Sequence, residues 1–406
     1  MKRLVPIQEM DFKGKRVFLR VDFNVPLKEV DGEWVVADQT RLVGALPTIR
    51  YIMEKGGRCI LASHLGRPKG QANPKYSLEP VGKALSALLS KDVILTDDCI
   101  GDGARGLSQQ LRNGEVLLLE NLRFHAAEEE NAPEFATKLL QLTDVYVTDA
   151  FGSLHRAHAS TSALPQQVAD RGIGLLVQKE LEYLEPLRTN PNRPFVLIMG
   201  GAKVSDKIGI LETFMPKVDR IIVGGAMAYA FLKAIGTKVG KSFCQDDQVR
   251  LATRIMKSAE ARGVDVVLPI DHVISTSMTN TVAASTTEGA DIPEDWMALD
   301  IGPKTLEKFG KALEGAETIF WNGPMGVFEE PVFAQGTFEL ARKIAATGAR
   351  KLAGGGDSAS AIEQSGCEAQ FDFISTGGGA TLEFLEGKPL PGLKAVEIRV
   401  SSEPQE

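Results

Sequence analysis

Short apolar runs recur along this chain of 406 residues, and each is bounded by turn residues and followed by a helix-like segment. A first series lies at Val17–Val21, Cys59–Ala62, Val93–Leu95, Val116–Leu119 and Val145–Val147. A second series lies at Phe195–Met199, Ile221–Val223, Val266–Pro269, Thr318–Trp321 and Lys351–Ala353. Strands that are apolar on both faces belong in parallel sheets covered by helices. The pattern therefore predicts an α/β protein with two doubly wound, Rossmann-like parallel-sheet domains.

The segment between the two series has the character of a linker. Residues 178–187 (QKELEYLEPL) show the pattern of a helix with a charged face, and the turn Asn190–Pro194 follows it. We therefore predict a first domain over residues 1–175, an interdomain helix and hinge over 176–190, and a second domain over 191–388.

The charge distribution argues against a nucleic-acid or anionic-membrane binder, because the formal net charge is −7. Residues 1–175 carry 22 Lys or Arg and 22 Asp or Glu, so the whole negative excess falls in the rest of the chain. An anionic ligand would therefore find its partners more readily in the first half.

The cysteines and the apolar segments predict a cytoplasmic protein. The cysteines Cys59, Cys99, Cys244 and Cys367 are scattered, which favours thiols in a reducing compartment over a zinc site or a disulfide framework. The N-terminal residues have no apolar stretch of signal-peptide length, and no run of 18 apolar residues occurs. We expect no membrane partner.

Arginine and histidine residues follow the predicted strands of the first half. The segments concerned are Arg20–Pro26, Asp38–Arg41, Ser63–Pro68, Glu120–His125 and Asp149–His158. Ligands of parallel α/β sheets bind at the carboxyl ends of the strands, and the arginine fork matches phosphate and carboxylate oxygens. One such arginine alone is more often a solvated surface residue or half of an ion pair. Their recurrence at several strand ends predicts a site for a small, multiply charged anion.

Arg20 is the weakest member of this set. It lies inside a strand pattern, and pairing with an internal carboxylate explains it equally well.

Glycine turns follow the predicted strands of the second half instead. They lie in Gly200–Lys207, Gly224–Met227, Asn322–Glu329, Gly354–Ser358 and Ser375–Ala380. Glycine lets backbone amides approach a phosphate closely, so we predict a nucleotide site here. Lys203 and Lys207 are four residues apart and would share one helix face or its approach. Asp357 would hold Mg²⁺ directly or through water.

Eight segments together resemble the phosphoglycerate kinase family, in the family's order and over nearly the whole chain. They are RVDFNVP (20–26), SHLGRP (63–68), ENLRFH (120–125), DAFG with HRAHAS (149–160), GGAKVSDK (200–207), WNGPMGVFE (321–329), GGGDS (354–358) and STGGGAT (375–381). The departures are small: Thr148, Ser153, Leu154 and Ser358 replace residues that are more usual in the family.

The resemblance implies reversible phosphoryl transfer from 1,3-bisphosphoglycerate to MgADP, giving 3-phosphoglycerate and MgATP, by direct in-line transfer after domain closure. By the family pattern, the acid would bind to Asp22, Phe23, Asn24, Arg41, His64, Leu65, Gly66, Arg67, Arg123 and Arg156. The nucleotide would bind to Lys207, Gly225, Asn322, Pro324, Glu329, Gly355, Gly356, Asp357 and Ser358, with Asp357 as the Mg²⁺ ligand. The catalytic set would be Arg41, Lys203, Lys207, Gly377, Gly378 and Gly379. The resemblance also implies a monomer whose C-terminal tail, residues 389–406, returns to the first domain.

A carboxylate acceptor explains why the sequence shows no convincing catalytic base. Carboxyl pKa values lie near ~4, so the nucleophile is already ionised at neutral pH. Two alternatives remain open at this point. A dehydrogenase would need a dinucleotide fingerprint, which is missing, and a non-catalytic nucleotide-binding module would not need the arginine cluster.

Overall fold

The computed structural model describes residues 2–279 and 281–399. These residues form two compact units, one of residues 2–182 with 389–399 and one of residues 183–388. The division falls within the helix Leu175–Thr189, the segment in which an interdomain helix was predicted. The predicted boundaries at residues 175 and 190 stay predictions.

The first unit is a helix-covered parallel sheet with a small hairpin. Its strands are β1 (Lys2–Arg3), β2 (Arg16–Arg20), β3 (Leu27–Val30), β4 (Glu33–Val36), β5 (Arg58–Ala62), β6 (Val93–Leu95), β7 (Val116–Leu118), β8 (Val145–Thr148) and β9 (Arg171–Ile173). Its helices are α1 (Thr40–Glu54), α2 (Glu79–Leu89), α3 (Asp102–Gln110), α4 (Ala126–Glu129), α5 (Pro133–Leu140) and α6 (Leu164–Gln167), and α7 (Leu175–Thr189) begins here.

Strand β2 is one of the two central strands of the first sheet, whose order is β6-β7-β5-β2-β8-β9. Val17 and Leu19 point to one face and join a buried core with Leu42 and Ile49 of α1. On the other face Phe18 stacks on the ring of Tyr146 at 5.9 Å between centroids. Because β5 and β8 flank β2 in parallel, the segments that follow these three strands meet at one edge.

The second unit contains another helix-covered parallel sheet and a small antiparallel one. Its strands are β10 (Phe195–Met199), β11 (Arg220–Val223), β12 (Asp265–Val267), β13 (His272–Ser275), β14 (Ser285–Thr286), β15 (Met297–Ile301), β16 (Thr318–Asn322), β17 (Arg350–Gly354) and β18 (Phe373–Ser375). Its helices are α8 (Ile208–Phe214), α9 (Ala228–Ala234), α10 (Asp246–Arg262), α11 (Pro303–Leu313), α12 (Gln335–Ala345), α13 (Gly356–Gln364) and α14 (Gly379–Leu385).

The parallel strands of the second unit follow the order β12-β11-β10-β16-β17-β18. The chain therefore reverses direction across the sheet between β10 and β16, both of which are buried along their whole length. Such a reversal opens a crevice at the carboxyl ends of the two strands, where ligands bind in open α/β sheets. The glycine turns after β10 and β16 border this crevice.

The C-terminal residues belong to the first unit. Helix α15 (Pro391–Val396) is followed by β19 (Ile398–Arg399), which pairs antiparallel with β1. The Gly392 N–H donates to the Leu154 carbonyl at 3.0 Å, and a Cβ at Gly392 would lie 2.6 Å from Leu154 Cδ2. Leu154 thus packs beneath this tail. The remainder of the predicted tail, residues 400–406, lies outside the described residues.

The prediction of two parallel-sheet α/β domains is confirmed, and each predicted apolar run contributes to a strand. The edge strands β9 and β18, the hairpin β3–β4 and the antiparallel sheet β14-β13-β15 were not predicted. Most of these strands are short or partly exposed, and Asp300 interrupts the apolar residues of β15, so a continuous apolar run is lacking. In the part of the chain that the structure describes, no helix is long and apolar enough to cross a membrane.

Candidate active site

Arg41 and Asp22 meet at the carboxyl edge of the first sheet. Asp22 follows β2 and Arg41 lies in the first turn of α1, and Arg41 Nη1 donates to Asp22 Oδ1 at 2.8 Å. Burial disfavours the Asp22 carboxylate, but the charges of His64 (in its protonated form only), Arg41 and Arg20 outweigh burial, and the pKa of Asp22 lies below its ordinary value. Asp22 is therefore a fixed anion that orients a cation whose side chain stays 33% exposed.

Asn24 links the segment after β2 to the segment after β5. Its Oδ1 accepts from the Gly66 N–H at 2.8 Å. Gly66 has φ +61°, and a Cβ there would lie 2.4 Å from a ring carbon of Tyr76. Both the positive φ and the close ring require glycine at this turn.

Arg123 reaches the same turn from the segment after β7. It is only 3% exposed, and its Nη1 donates to the Gly66 carbonyl at 2.9 Å. Burial disfavours the cation, Glu129 favours it, and Arg156 and Arg20 oppose it, so the pKa of Arg123 is lowered. A buried guanidinium whose charge is incompletely compensated favours binding of an anion.

His64 is buried beside this cluster, with 6% exposure. Its Nδ1 lies 3.3 Å from Nη2 of Arg20. Burial disfavours the imidazolium, Asp22 favours it, and Arg20, Arg123 and Arg41 oppose it, so the pKa of His64 lies well below its ordinary value. His64 is therefore neutral at physiological pH.

The remaining residues that were predicted to bind the acid divide into two groups. Phe23 and Leu65 are buried in the hydrophobic core, and their N–H groups already donate to Ser63 Oγ and Asn121 Oδ1. Their side chains therefore pack in the core, and their contact with the acid stays a prediction. Arg67 and Arg156 are exposed, so their guanidinium groups are open to solvent at the strand ends.

His125 joins a different set of side chains from the arginine cluster. Its Nε2 lies 2.7 Å from Asp98 Oδ1, and Asp98 and Cys99 could join it as metal ligands. The same Asp98 oxygen also accepts from the Cys99 N–H at 2.7 Å. Hydrogen bonds thus already occupy this oxygen, which explains the set without a metal.

Lys207 reaches the crevice of the second sheet. It ends a 3₁₀-helix (Val204–Lys207), and its Nζ donates to Oδ1 of Asn322. Asn322 is 2% exposed and donates through Nδ2 to the Gly354 carbonyl, so it connects the ends of β16 and β17. Burial lowers the pKa of Lys207, while Asp206, Asp357 and Glu386 favour the cation. Lys203 precedes the 3₁₀-helix and is exposed, so the two lysines lie in different environments and not on one α-helical face.

The glycine turns after β10, β11 and β16 pack backbone against backbone. Gly225 has φ +62°, and a Cβ there would lie 2.5 Å from the Gly201 nitrogen. The Gly201 N–H donates to the Pro324 carbonyl at 3.1 Å. A side chain at position 225 is therefore excluded, and the side chain of Met325 packs against the neighbouring Gly200 and Gly224.

The loop after β17 carries the predicted metal ligand. Gly355, with φ +99°, precedes α13, and Ser358 Oγ accepts from the Gly323 N–H at 2.7 Å. Asp357 is exposed in the first turn of α13, and no described residue forms a hydrogen bond or ion pair with its carboxylate. An exposed carboxylate beside a glycine turn fits Mg²⁺, which usually keeps several waters and binds through one or two carboxylates and nucleotide phosphates.

Two further predicted segments lie at the edges of the second unit's crevice. Gly378 has φ +55°, and Gly377, Gly378 and Gly379 lead into α14 after β18. Glu329 is exposed after β16, in the segment that also contains Pro324.

Three polar residues have structural roles that the sequence analysis did not assign, although Asp149 and Ser160 lie in segments that it named. Ser160 and Glu128 are fully buried and hydrogen-bonded to each other. Asp149, at the end of β8, accepts through Oδ1 from the Leu176 and Val177 N–H groups in the first turn of α7. Glu128 lies in a run of three glutamates, a pattern typical of a solvated surface, so no local signal marks it as buried.

Comparisons with known proteins agree on one family. The family model for phosphoglycerate kinase matches residues 7–388. Phosphoglycerate kinase from Anaeromyxobacter dehalogenans (strain 2CP-C) is 52% identical over 393 residues, which is 96% of this chain and 98% of that protein. The cytosolic phosphoglycerate kinase of Nicotiana tabacum is 48% identical over 399 residues, 98% of each chain. The solved structure of phosphoglycerate kinase from Coxiella burnetii has a TM-score of 0.85 at 37% identity, and covers 97% of this chain and 99% of that one.

Proposed function

Because this chain belongs to the phosphoglycerate kinase family, we propose that it transfers a phosphoryl group reversibly from 1,3-bisphosphoglycerate to MgADP, giving 3-phosphoglycerate and MgATP. It is a kinase whose acceptor is a carboxyl group. The observation that supports the proposal most directly is the cluster at the first sheet edge. There Arg41 donates to Asp22 at 2.8 Å, and the positive charges of Arg20, Arg41 and Arg123 all act on the buried His64.

The chemistry needs positioning and charge neutralisation more than proton transfer. The 3-phosphoglycerate carboxylate is ionised at neutral pH, so it attacks without a general base. In our proposal Arg123, Arg67 and Arg156 bind the phosphate of the acid, and Asp22, Asn24 and His64 bind its polar groups. Arg41 reaches the transferring phosphoryl group, and Asp22 fixes its guanidinium. A preorganised donor of this kind is typically worth about 10²–10³ in rate.

We place the nucleotide on the second unit. Lys207, held by Asn322, lies close to the phosphates, and the amides of Gly355 and Gly356 at the start of α13 face them. Asn322, Pro324, Gly225 and Glu329 border the nucleoside part. Asp357 would hold Mg²⁺, which supplies charge neutralisation of the nucleotide phosphates when it is bound. Lys203 and the amides of Gly377, Gly378 and Gly379 would stabilise the equatorial oxygens during transfer.

The two proposed half-sites belong to different units, so in-line transfer requires the ligands to be brought together. We propose closure about α7, which also excludes water that would hydrolyse the acyl phosphate. Small-angle scattering with 3-phosphoglycerate and MgATP both present should show a smaller radius of gyration than the free protein. An unchanged radius would contradict closure without contradicting the reaction.

We further propose that the protein is a monomer in the cytoplasm. Three of its four cysteines are buried free thiols and the fourth is partly exposed, a pattern suited to a reducing compartment. The tobacco relative named as cytosolic agrees with this location.

A coupled assay with 3-phosphoglycerate and MgATP tests the function directly. Formation of 1,3-bisphosphoglycerate is read as NADH consumption by added glyceraldehyde-3-phosphate dehydrogenase. Acetate in place of 3-phosphoglycerate is the control for acceptor recognition. Binding of ATP with no turnover would favour a non-catalytic nucleotide-binding module and would contradict the proposal.

A further inference from the structure

The structure assigns a positioning role to a buried chain of hydrogen bonds that runs from Glu128 through Ser160 and Arg20 to His64. We propose that this chain holds His64 as a neutral imidazole with its proton on Nε2, so that it meets the substrate as a hydrogen-bond donor. The proposal rests on the proposed function only in taking His64 as a ligand of the acid.

Each member of the chain is buried and in direct contact with the next. Arg20, at the end of β2, is 1% exposed, and its Nε donates to Ser160 Oγ at 2.8 Å. Ser160 is fully buried and donates through Oγ to Glu128 Oε1 at 2.5 Å. The Ser160 N–H donates to the other carboxylate oxygen at 2.9 Å. Glu128, in α4, is also fully buried.

The donors and acceptors in this chain can be arranged in only one direction when Glu128 is ionised. A guanidinium has five N–H donors and no acceptor, so Ser160 Oγ must accept from Arg20. The single hydroxyl proton of Ser160 is then directed to Glu128. At the other end, Arg20 Nη2 lies 3.3 Å from His64 Nδ1, which must also accept. The imidazole proton therefore resides on Nε2.

The electrostatic surroundings differ at the two ends of the chain of hydrogen bonds. Burial outweighs Arg20 and the two hydrogen bonds from Ser160, so the pKa of Glu128 is raised, and the direction argued above is that of its ionised form. The charged groups that act on His64 are Asp22, Arg20, Arg123 and Arg41. Three cations against one carboxylate, together with burial, disfavour an imidazolium. The sequence suggested that Arg20 pairs with an internal carboxylate, and the structure places Ser160 between the two.

The chain of hydrogen bonds also connects the segments whose residues are proposed to bind the acid. Helix α4 follows the 3₁₀-helix Leu122–Phe124, which contains Arg123. Ser160 lies in the π-helix Ala159–Ala163, just after Arg156. The Tyr146 hydroxyl donates to the Ser160 carbonyl at 2.8 Å and holds this π-helix against β8. Breaking this chain of hydrogen bonds should therefore weaken binding of the acid and leave the nucleotide site unchanged.

The first test is nitrogen NMR of His64 in the full-length, ligand-free protein. We expect the neutral Nε2–H tautomer, with no titration between about pH 5.5 and 8. An Nδ1–H tautomer, or titration near the ordinary histidine pKa, would overturn the proposal. This measurement uses the wild-type protein and does not require enzymatic activity. Absence of turnover would therefore refute the proposed function while leaving the His64 result to be judged separately.

The second test is a double-mutant cycle with Ser160→Ala and Glu128→Gln. Each single variant should raise the KM for 3-phosphoglycerate about tenfold and leave the KM for MgATP unchanged, because a buried partner is lost. The double variant should be no worse than the worse single variant, since both break one chain. Additive effects, or equal effects on both KM values, would overturn the proposal.

Ser108→Ala is the matched control for this cycle. Ser108 is also fully buried in the first unit, where its Oγ donates to the Arg105 carbonyl at 2.8 Å within α3. Its loss removes a buried hydroxyl without touching the chain, and both KM values should stay at the wild-type level. If Ser160→Ala fails to fold, the tautomer of His64 in the wild-type protein still decides the proposal.

Discussion

Arg41 donates from Nη1 to Oδ1 of Asp22 over 2.8 Å, and this pair joins the first turn of α1 to the end of β2. The Asp22 side chain is 15% exposed, whereas that of Arg41 is 33% exposed. The carboxylate thus restricts the guanidinium without covering it. This arrangement suits a cation that must point at a reacting group, since a preorganised charge costs little reorganisation during the reaction.

Replacement of Arg41 by alanine should abolish most turnover. We expect kcat to fall by about 10²-fold or more, with the affinity for MgATP nearly unchanged, because Arg41 lies in the unit assigned to the acid. Steady-state kinetics and nucleotide titration measure the two quantities. Arg50→Ala, which removes an exposed arginine of the same helix, should have wild-type kinetics. An equal loss of nucleotide binding in Arg41→Ala would refute the role assigned to it.

Replacement of Lys207 by methionine should remove a charge at the nucleotide phosphates while keeping the length of the side chain. We expect kcat to fall about 10²–10³-fold and the KM for 3-phosphoglycerate to stay constant. Lys233→Met is the control, because Lys233 is an exposed lysine of α9 that pairs with Asp246 at 3.2 Å. A Lys207→Met enzyme with wild-type kcat would exclude Lys207 from transfer.

Replacement of Gly225 by alanine should push apart the two glycine turns that follow β10 and β11. Its Cβ would meet the Gly201 nitrogen at 2.5 Å, a backbone atom that cannot move aside independently. We expect weaker binding of MgATP, measured by calorimetry, and a lower thermal midpoint.

Gly263→Ala is the control that distinguishes the effect of backbone strain at a positive φ from the effect of the steric clash with Gly201. Gly263 has φ +68°, similar to the +62° of Gly225, but no atom lies within 4 Å of its would-be Cβ. It should lose about 1 kcal/mol of stability from the positive φ and keep its nucleotide affinity. If both variants bind MgATP equally well, the turn at Gly225 does not shape the nucleotide site.

Asp149 should make the stability of the first unit depend on pH. Burial raises its pKa from 3.8 to about 7, against the hydrogen bonds from Thr48, Val177 and Leu176 that lower it. The native state therefore binds more protons than the unfolded state between these pH values, and the free energy of unfolding falls as pH rises through that window. The loss is complete above about pH 7 and amounts to at most roughly 4 kcal/mol.

Asp149→Asn removes this titration and keeps an acceptor for the first turn of α7. Relative to the wild type, the variant should gain stability as pH rises from about 4 to 7, in urea unfolding followed by circular dichroism. Asp31→Asn is the control, because Asp31 is exposed and its φ of +52° suits asparagine equally. A pH-independent difference between the wild type and Asp149→Asn would show that the carboxyl group does not titrate in this range.

The sequence predicted the strands of the two parallel sheets correctly, but it did not predict the surroundings of the side chains that follow them. Apolar runs such as Phe195–Met199 became strands, because burial on both faces leaves a continuous local pattern. The side chains of Phe23 and Leu65 belong to the core, which the sequence did not indicate, and the place of these residues at the acid site stays a prediction. The sequence of such a segment does not show which of its side chains point into the core, because that depends on the path of the backbone.

A feature could be predicted from the sequence when the residues that determine it are close together along the chain. Strand periodicity and glycine turns depend on neighbours along the chain, so they are legible before any fold is known. The order of the strands depends on contacts between distant segments. Arg20 and Ser160 are 140 residues apart, and Ser160 and Glu128 are 32 apart, yet all three share one chain of hydrogen bonds. The family and its two sheets were therefore accessible from the residues alone, whereas the protonation of His64 depended on which buried groups the sheet brought together.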